Sequence, residues 1–115
     1  MDYPIEPSIL AAIDQGRMQR GRTNPQSWSR QRAQVLTAED QGLTRSRIGG
    51  ELGLSQRSVV LLATEACDAV LRGGAASEAA DRVCTEKWRG WCQNGDTAAC
   101  SRLRTTAAEG TSQAG

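Results

Sequence analysis

The sequence predicts an all-α protein, and three observations carry this prediction. No segment of the 115 residues alternates apolar and polar side chains in the way that a half-buried strand requires. Apolar residues instead recur three, four and seven positions apart, which is the spacing of one helix face. Glycine, asparagine, proline, serine and threonine separate these segments at positions that suit helix ends. We therefore expect about six helices.

The first predicted helix is short. It begins at Pro7, places Ile9 and Ile13 on one face, and ends near Gly16. Residues 16–24 then combine two glycines with three arginines and show no apolar periodicity. We expect this segment to be a basic loop or arm.

The second predicted helix follows this arm. Asn24 supplies an N-cap and Pro25 suits the first helical turn. Trp28 and Leu36 are eight residues apart and place an apolar stripe on the helix, which ends before Gly42. Glycine at that point can adopt the left-handed conformation that closes many helices.

Two more helices are predicted from their caps. Thr44 is a suitable N-cap for a third helix, and Gly53 ends it. Ser55 caps a fourth helix, which continues to Arg72 and stops at Gly73-Gly74.

The C-terminal third predicts two helices and a tail. A fifth helix covers roughly residues 77–93, and Asp96 can cap a sixth over residues 97–104. Residues 108–115 are small and polar, with no apolar anchor, so we expect a disordered tail there.

The composition excludes several functions. The chain has no histidine, which removes the commonest general base and the commonest metal ligand. We therefore predict no enzyme, no cofactor, no metal and no small-molecule substrate. No apolar run reaches about 18 residues, and no secretory signal is evident at the N-terminus, so we expect a cytoplasmic protein with no membrane partner.

The formal net charge of +1 hides an uneven distribution. Residues 1–16 carry three acidic groups and no basic one, whereas residues 17–57 carry eight arginines against three acidic groups. The remaining residues carry six basic and seven acidic groups. A local excess of arginine is expected of a phosphate-binding face, and the alternative is an ordinary solvated surface.

Residues 44–62 contain a pattern of apolar and small residues in one register. The pattern comprises Ile48, Leu52, Leu54, Val59 and Leu62 as apolar contacts, Gly49 as a small residue, and Gly53 at a turn. It resembles a helix-turn-helix, in which two short helices cross steeply and glycine permits the turn. With the upstream Val35-Leu36 and Gly42-Leu43-Thr44, the spacing is similar to that of LuxR-type regulators and of the promoter-binding region of sigma factors.

The resemblance implies that the helix after Ser55 enters the major groove of DNA. Candidate base-reading residues are then Gln56, Arg57, Ser58, Val60, Leu61 and Thr64. Glutamine suits adenine, arginine suits guanine, and apolar groups can contact thymine methyl groups. Candidate phosphate contacts are Thr44, Arg45, Arg47 and Ser55.

A second basic feature precedes this pattern. Arg20-Gly21-Arg22, with Arg17 beside it, resembles the core of a minor-groove arm of the AT-hook type, in which glycine lets the backbone lie in the narrow groove. The alternative interpretation is a plain basic loop.

Together these features predict a helix-turn-helix domain of about four helices over residues 1–74, followed by a two-helix C-terminal region over residues 75–107. The expected function is sequence-specific binding of double-stranded DNA, as a transcriptional repressor or as an accessory factor of a plasmid or phage. The thin core favours a homodimer. The alternative is a protein-binding adaptor or inhibitor that uses the fourth helix, which is apolar almost all round after its first turn.

The cysteines leave several possibilities open. Cys67, Cys84, Cys92 and Cys100 include no Cys-x-x-Cys pair, so a zinc site is the weaker interpretation and packing as small apolar thiols is the stronger one. A redox-sensing pair lies between the two, and structural disulfides would require oxidising surroundings. In a cytosolic protein, we expect thiols.

Overall fold

The structure is a computed structural model that describes residues 3–19 and 25–114. These residues form six helices and no strand, which confirms the all-α prediction. No helix within the described ranges is both long and apolar enough to cross a membrane. The helices in chain order are α1 (Pro7–Gln19), α2 (Gln26–Asp40), α3 (Arg45–Leu52), α4 (Gln56–Gly73), α5 (Glu78–Gln93) and α6 (Thr97–Ala114).

Local capping explains where the middle helices begin and end. The side chains of Thr44, Ser55 and Ser77 accept hydrogen bonds from backbone amides in the first turns of α3, α4 and α5. Gly53 and Gly74 close α3 and α4 in the left-handed conformation, with φ of +69° and +72°. The predicted caps Thr44, Gly53 and Ser55 and the predicted stop at Gly73-Gly74 are confirmed, whereas Ser77 was expected inside the fifth helix and caps it instead.

One hydrophobic core draws on all six helices and continues across residue 74. Its largest fully buried side chain is Trp88, on α5, whose indole nitrogen donates a hydrogen bond to the carbonyl oxygen of Cys67 at 3.2 Å. Arg102, on α6, stacks on the Trp88 ring and forms an ion pair with Asp81 at 2.9 Å. The C-terminal helices therefore use their large side chains inside the subunit.

The closest helix contact is made without side chains, where α1 meets α4. A Cβ atom added to Gly73 would lie 2.5 Å from the backbone nitrogen of Gly16, and one added to Gly16 would lie 2.5 Å from the carbonyl carbon of Ala69. Gly16 is therefore an interior contact residue of α1, which continues to Gln19. The prediction of a loop from residue 16 is wrong for residues 16–19, because the glycine there serves backbone packing and does not end the helix.

The start of α2 also differs from expectation. Pro25 occupies the N-cap position itself, in an extended conformation, and accepts the first helical hydrogen bond from Trp28 through its carbonyl oxygen. The predicted cap, Asn24, lies outside the described residues.

The last helix is longer than predicted. α6 continues past residue 104 to Ala114, so the predicted helix end near residue 104 is wrong. The hydroxyls of Thr105 and Thr106 donate to the carbonyl oxygens one turn earlier, of Ser101 and Arg102, which satisfies these side chains within a helix. Alanine and glutamate follow and favour helix.

All four cysteines are paired, so the expectation of thiols is wrong in this structure. Cys67 on α4 bonds to Cys84 on α5, and Cys92 at the end of α5 bonds to Cys100 on α6. The Cα–Cα distances of 5.5 Å and 4.9 Å are those of ordinary disulfides. Helix packing brings the cysteines of each pair together. Among the described residues, no group of three or more side chains could hold a metal ion.

Because α1 and α4 touch through their backbones, we expect alanine to destabilise the fold at Gly16. Gly16→Ala should lower the free energy of unfolding by about 1–3 kcal/mol, because the new methyl group meets backbone atoms that cannot turn aside. Gly90→Ala, in α5, is the control: nothing lies within 4 Å of its Cβ position, so it should stabilise by about 0.5–1 kcal/mol. Denaturant unfolding measures both, and equal effects would contradict the contact.

Candidate nucleic-acid interface

The segment that joins α3 to α4 depends on a second close backbone approach. A Cβ atom at Gly49 would lie 2.5 Å from the carbonyl oxygen of Leu54. The amide of Leu54 donates to the carbonyl oxygen of Gly49 at 2.8 Å, and the amide of Gly53 donates to the same oxygen. Glycine at position 49 therefore allows the chain after the turn to fold back against α3.

The first turn of α4 presents polar side chains to solvent. Ser55 caps the helix by accepting a hydrogen bond from the amide of Ser58 at 3.1 Å, and its hydroxyl donates to the Ser58 hydroxyl. Gln56 and Arg57 are exposed, and neither side chain makes a hydrogen bond or ion pair with any residue that the structure describes. Both are therefore free to bind a partner.

The next turn of α4 exposes two apolar side chains. Leu61 is 57% exposed and Val60 is 36% exposed, whereas Val59 and Leu62 are buried in the core. Thr64 is half-buried, and its hydroxyl donates to the carbonyl oxygen of Val60. The apolar run that is typical of a buried helix is thus divided between a core face and an exposed face.

The start of α3 contributes a second set of candidate residues. The Thr44 hydroxyl is occupied by capping, because it accepts from the amide of Arg47 at 3.2 Å. Arg45 is exposed, and the Arg47 side chain makes a long contact of 3.4 Å with Glu51. Since α3 has eight residues, Thr44 lies about 12 Å from the α3–α4 turn along the helix axis.

Glu39, near the end of α2, interacts electrostatically with Arg45 of this surface. Burial raises the pKa of its carboxyl group above the ordinary value, and the positive charges of Lys87 and Arg45 act in the opposite direction. Its neighbour Asp40 forms an ion pair with Arg82 of α5 at 3.0 Å. Both acidic residues at the end of α2 are thus engaged with basic groups from other helices.

Two of the six described arginines of residues 17–57 are engaged inside the fold. Arg32 donates to Glu65 at 2.7 Å and lies over the ring of Trp28, and Arg17 pairs with Asp14 at 3.1 Å. Their carboxylate partners come from outside residues 17–57, so a charge count along the chain overstates the positive surface. Within the described residues, the arginines of residues 17–57 that form no ion pair are Arg30, Arg45 and Arg57.

Arg30 was not among the predicted site residues. It is exposed on α2, two positions after the half-buried Trp28 and therefore on the opposite side of the helix from the apolar stripe. Its place within residues 17–57 marks it as an exposed basic group on α2, outside the two helices that carry the candidate residues.

The described part of the predicted minor-groove arm lies away from this surface. Gly16 packs at Ala69, which is 13 residues after Gln56, so Arg17 lies about 20 Å along α4 from the exposed first turn. Arg20 and Arg22 lie outside the described residues.

Comparison with known proteins finds no protein-family model, no curated protein and no solved structure that matches this chain.

The close approach at Gly49 can be tested with its neighbour as the control. Gly49→Ala should lower the free energy of unfolding by about 1–3 kcal/mol, because the methyl group meets the Leu54 carbonyl. Nothing lies within 4 Å of a Cβ at Gly50, in the same helix, so Gly50→Ala should stabilise by about 0.5–1 kcal/mol. If urea titration gave both variants the same midpoint, the turn would not be packed as described.

Proposed function

We propose that this chain binds double-stranded DNA in a sequence-specific manner through a helix-turn-helix formed by α3 and α4. The observation that carries the proposal is the pair of exposed, unpartnered side chains, Gln56 and Arg57, in the first turn of α4. Glutamine and arginine at the start of a helix can form bidentate hydrogen bonds with adenine and guanine. The close backbone approach of Gly49 to Leu54 supports the proposal, because it holds α3 against the proposed recognition helix.

The electrostatic attraction in this proposal is modest. Arg45 and Arg47 flank the surface and would contact phosphates, while Arg17 and Arg32 are engaged in ion pairs. Two arginine–phosphate contacts per subunit would make the logarithm of the affinity fall with the logarithm of salt concentration with a slope of about −1.8, or about −3.6 for the four contacts of a homodimer. The base-reading side chains would then provide most of the discrimination between DNA sequences. A repressor or accessory factor in the cytoplasm, acting as a homodimer on a palindromic site, is the form of this function that we propose.

A second candidate function is supported by the disulfides. Disulfides persist in oxidising compartments and are rare in the cytosol, where DNA regulation takes place. In an oxidising compartment, the exposed Leu61 and Val60 would form part of a protein-binding surface, with Arg57 as a polar neighbour. The redox state of the cysteines in cells, fixed by rapid alkylation and read by mass, distinguishes the two settings.

The DNA-binding proposal is tested by selecting bound sequences from random duplex DNA and titrating the selected site at several salt concentrations. Arg57→Ala should reduce the preference at one guanine position by roughly 5- to 150-fold, equivalent to about 1–3 kcal/mol, and Gln56→Ala should act similarly at an adenine. Arg89→Ala, at an exposed arginine of α5, is the matched control and should leave the preference unchanged. Selection of no sequence, or binding that ignores salt, would exclude this function.

Leu61 provides a separate prediction about the same surface. If its exposed side chain contacts a thymine methyl group, replacing that thymine by uracil should weaken binding about fourfold, because one methyl group is returned to water. Leu61→Ala should bind thymine and uracil sites equally. A protein-binding role would instead leave DNA affinity unaffected by both changes.

A further inference from the structure

The two disulfides lie in different surroundings. Cys67 and Cys84 are both 0% exposed, between α4 and α5, in the part of the core that also holds Trp88. Cys92 and Cys100 are both half-buried, where α5 turns into α6. The residues of the outer disulfide therefore keep surface that solvent reaches in the native state, whereas a reagent reaches the inner disulfide only if the core opens.

The turn that carries the outer disulfide is held by other bonds as well. The amide of Asp96 donates to the carbonyl oxygen of Trp91 at 3.0 Å, and the amide of Asn94 donates to that of Gly90. The Asp96 carboxylate accepts from the amide of Ala99 and so caps α6. These hydrogen bonds keep the ends of α5 and α6 together whether or not the sulfur atoms are bonded.

Two ion pairs attach α6 to the rest of the fold near the same place. Arg72 of α4 donates to the Asp96 carboxylate at 2.6 Å, and Arg102 donates to Asp81 of α5 and to the carbonyl oxygen of Ala75. Reduction of the outer disulfide would therefore leave its two thiols adjacent, and adjacent thiols re-form a disulfide readily.

We propose that Cys92–Cys100 is a reversible exchange site for low-molecular-weight thiols, and that Cys67–Cys84 is a permanent crosslink. A thiolate attacks one sulfur of the outer disulfide, the sulfur–sulfur bond breaks, a mixed disulfide forms, and the other cysteine leaves as a thiolate. A second thiolate attacks the mixed disulfide, releases the second cysteine, and departs as the oxidised low-molecular-weight disulfide. The two thiols thus supply the two electrons that reduce the cystine, and the reverse steps restore it. This site does not depend on DNA binding.

The experiment maps alkylation of the oxidised full-length chain after treatment with increasing concentrations of reduced glutathione. Cleavage after lysine and arginine places both outer cysteines on one peptide, residues 90–102, and the inner cysteines on two others, residues 58–72 and 83–87. We expect the peptide 90–102 to gain two alkyl groups at a glutathione concentration at least about tenfold lower than the inner peptides need, because reduction of the inner bond requires opening of the core. Equal concentrations, or earlier modification of the inner peptides, would overturn the proposal.

Reversibility is tested with a variant that traps the intermediate. In Cys100→Ser, Cys92 has no resolving partner, so oxidised glutathione should add one glutathionyl group that persists. In the wild-type chain, reduced only at the outer site, the same reagent should restore the internal disulfide with no lasting adduct. Cys84→Ser is the matched control: its buried partner Cys67 should react at least about tenfold more slowly than Cys92, for the same reason of core access. A lasting adduct on the wild-type chain, or equal rates in the two variants, would contradict the exchange site.

Discussion

The other helices of this fold are arranged around the backbone contact between α1 and α4. Gly16 and Gly73 approach so closely that neither position has room for a Cβ atom. Such a contact brings two helices nearer than side-chain packing allows, and it places α1 against the C-terminal half of α4. The N-terminal half of α4 is consequently free to pack against α3 on one side and to expose Gln56 and Arg57 on the other.

Ion pairs that cross between helices determine how much positive charge reaches the surface. Arg32 and Arg102 are each at most 12% exposed in their side chains, and each forms an ion pair and also lies over a tryptophan ring. Arginine suits this role because its planar group can form ion pairs and stack on aromatic rings at once. The proposed interface therefore depends on a few exposed side chains and not on net charge.

Helix α4 connects the two chemical features of the molecule. Its first turn carries Arg57, and Cys67 lies ten residues later, about 15 Å along the axis. The inner disulfide ties this second part of the helix to α5, while the outer disulfide joins α5 to α6. The exchangeable cysteines are therefore separated from the proposed recognition helix by one buried crosslink.

Features that depend on neighbours a few residues away could be predicted from the order of the amino acids alone. Thr44 and Ser55 begin helices because their hydroxyls bond amides three residues on, and Gly53 ends one because only glycine readily adopts a positive φ. The position of Gln56 in the first turn of α4 follows from the same local rules, because it comes directly after the Ser55 cap.

The remaining features required the packed helices, because those features depend on what lies opposite in space. A glycine such as Gly16 can either end a helix or admit another backbone, and the choice is made by residues more than 50 positions away. The pairing of Cys67 with Cys84 and the partners of the arginines are settled in the same way, by helix packing that no local spacing encodes.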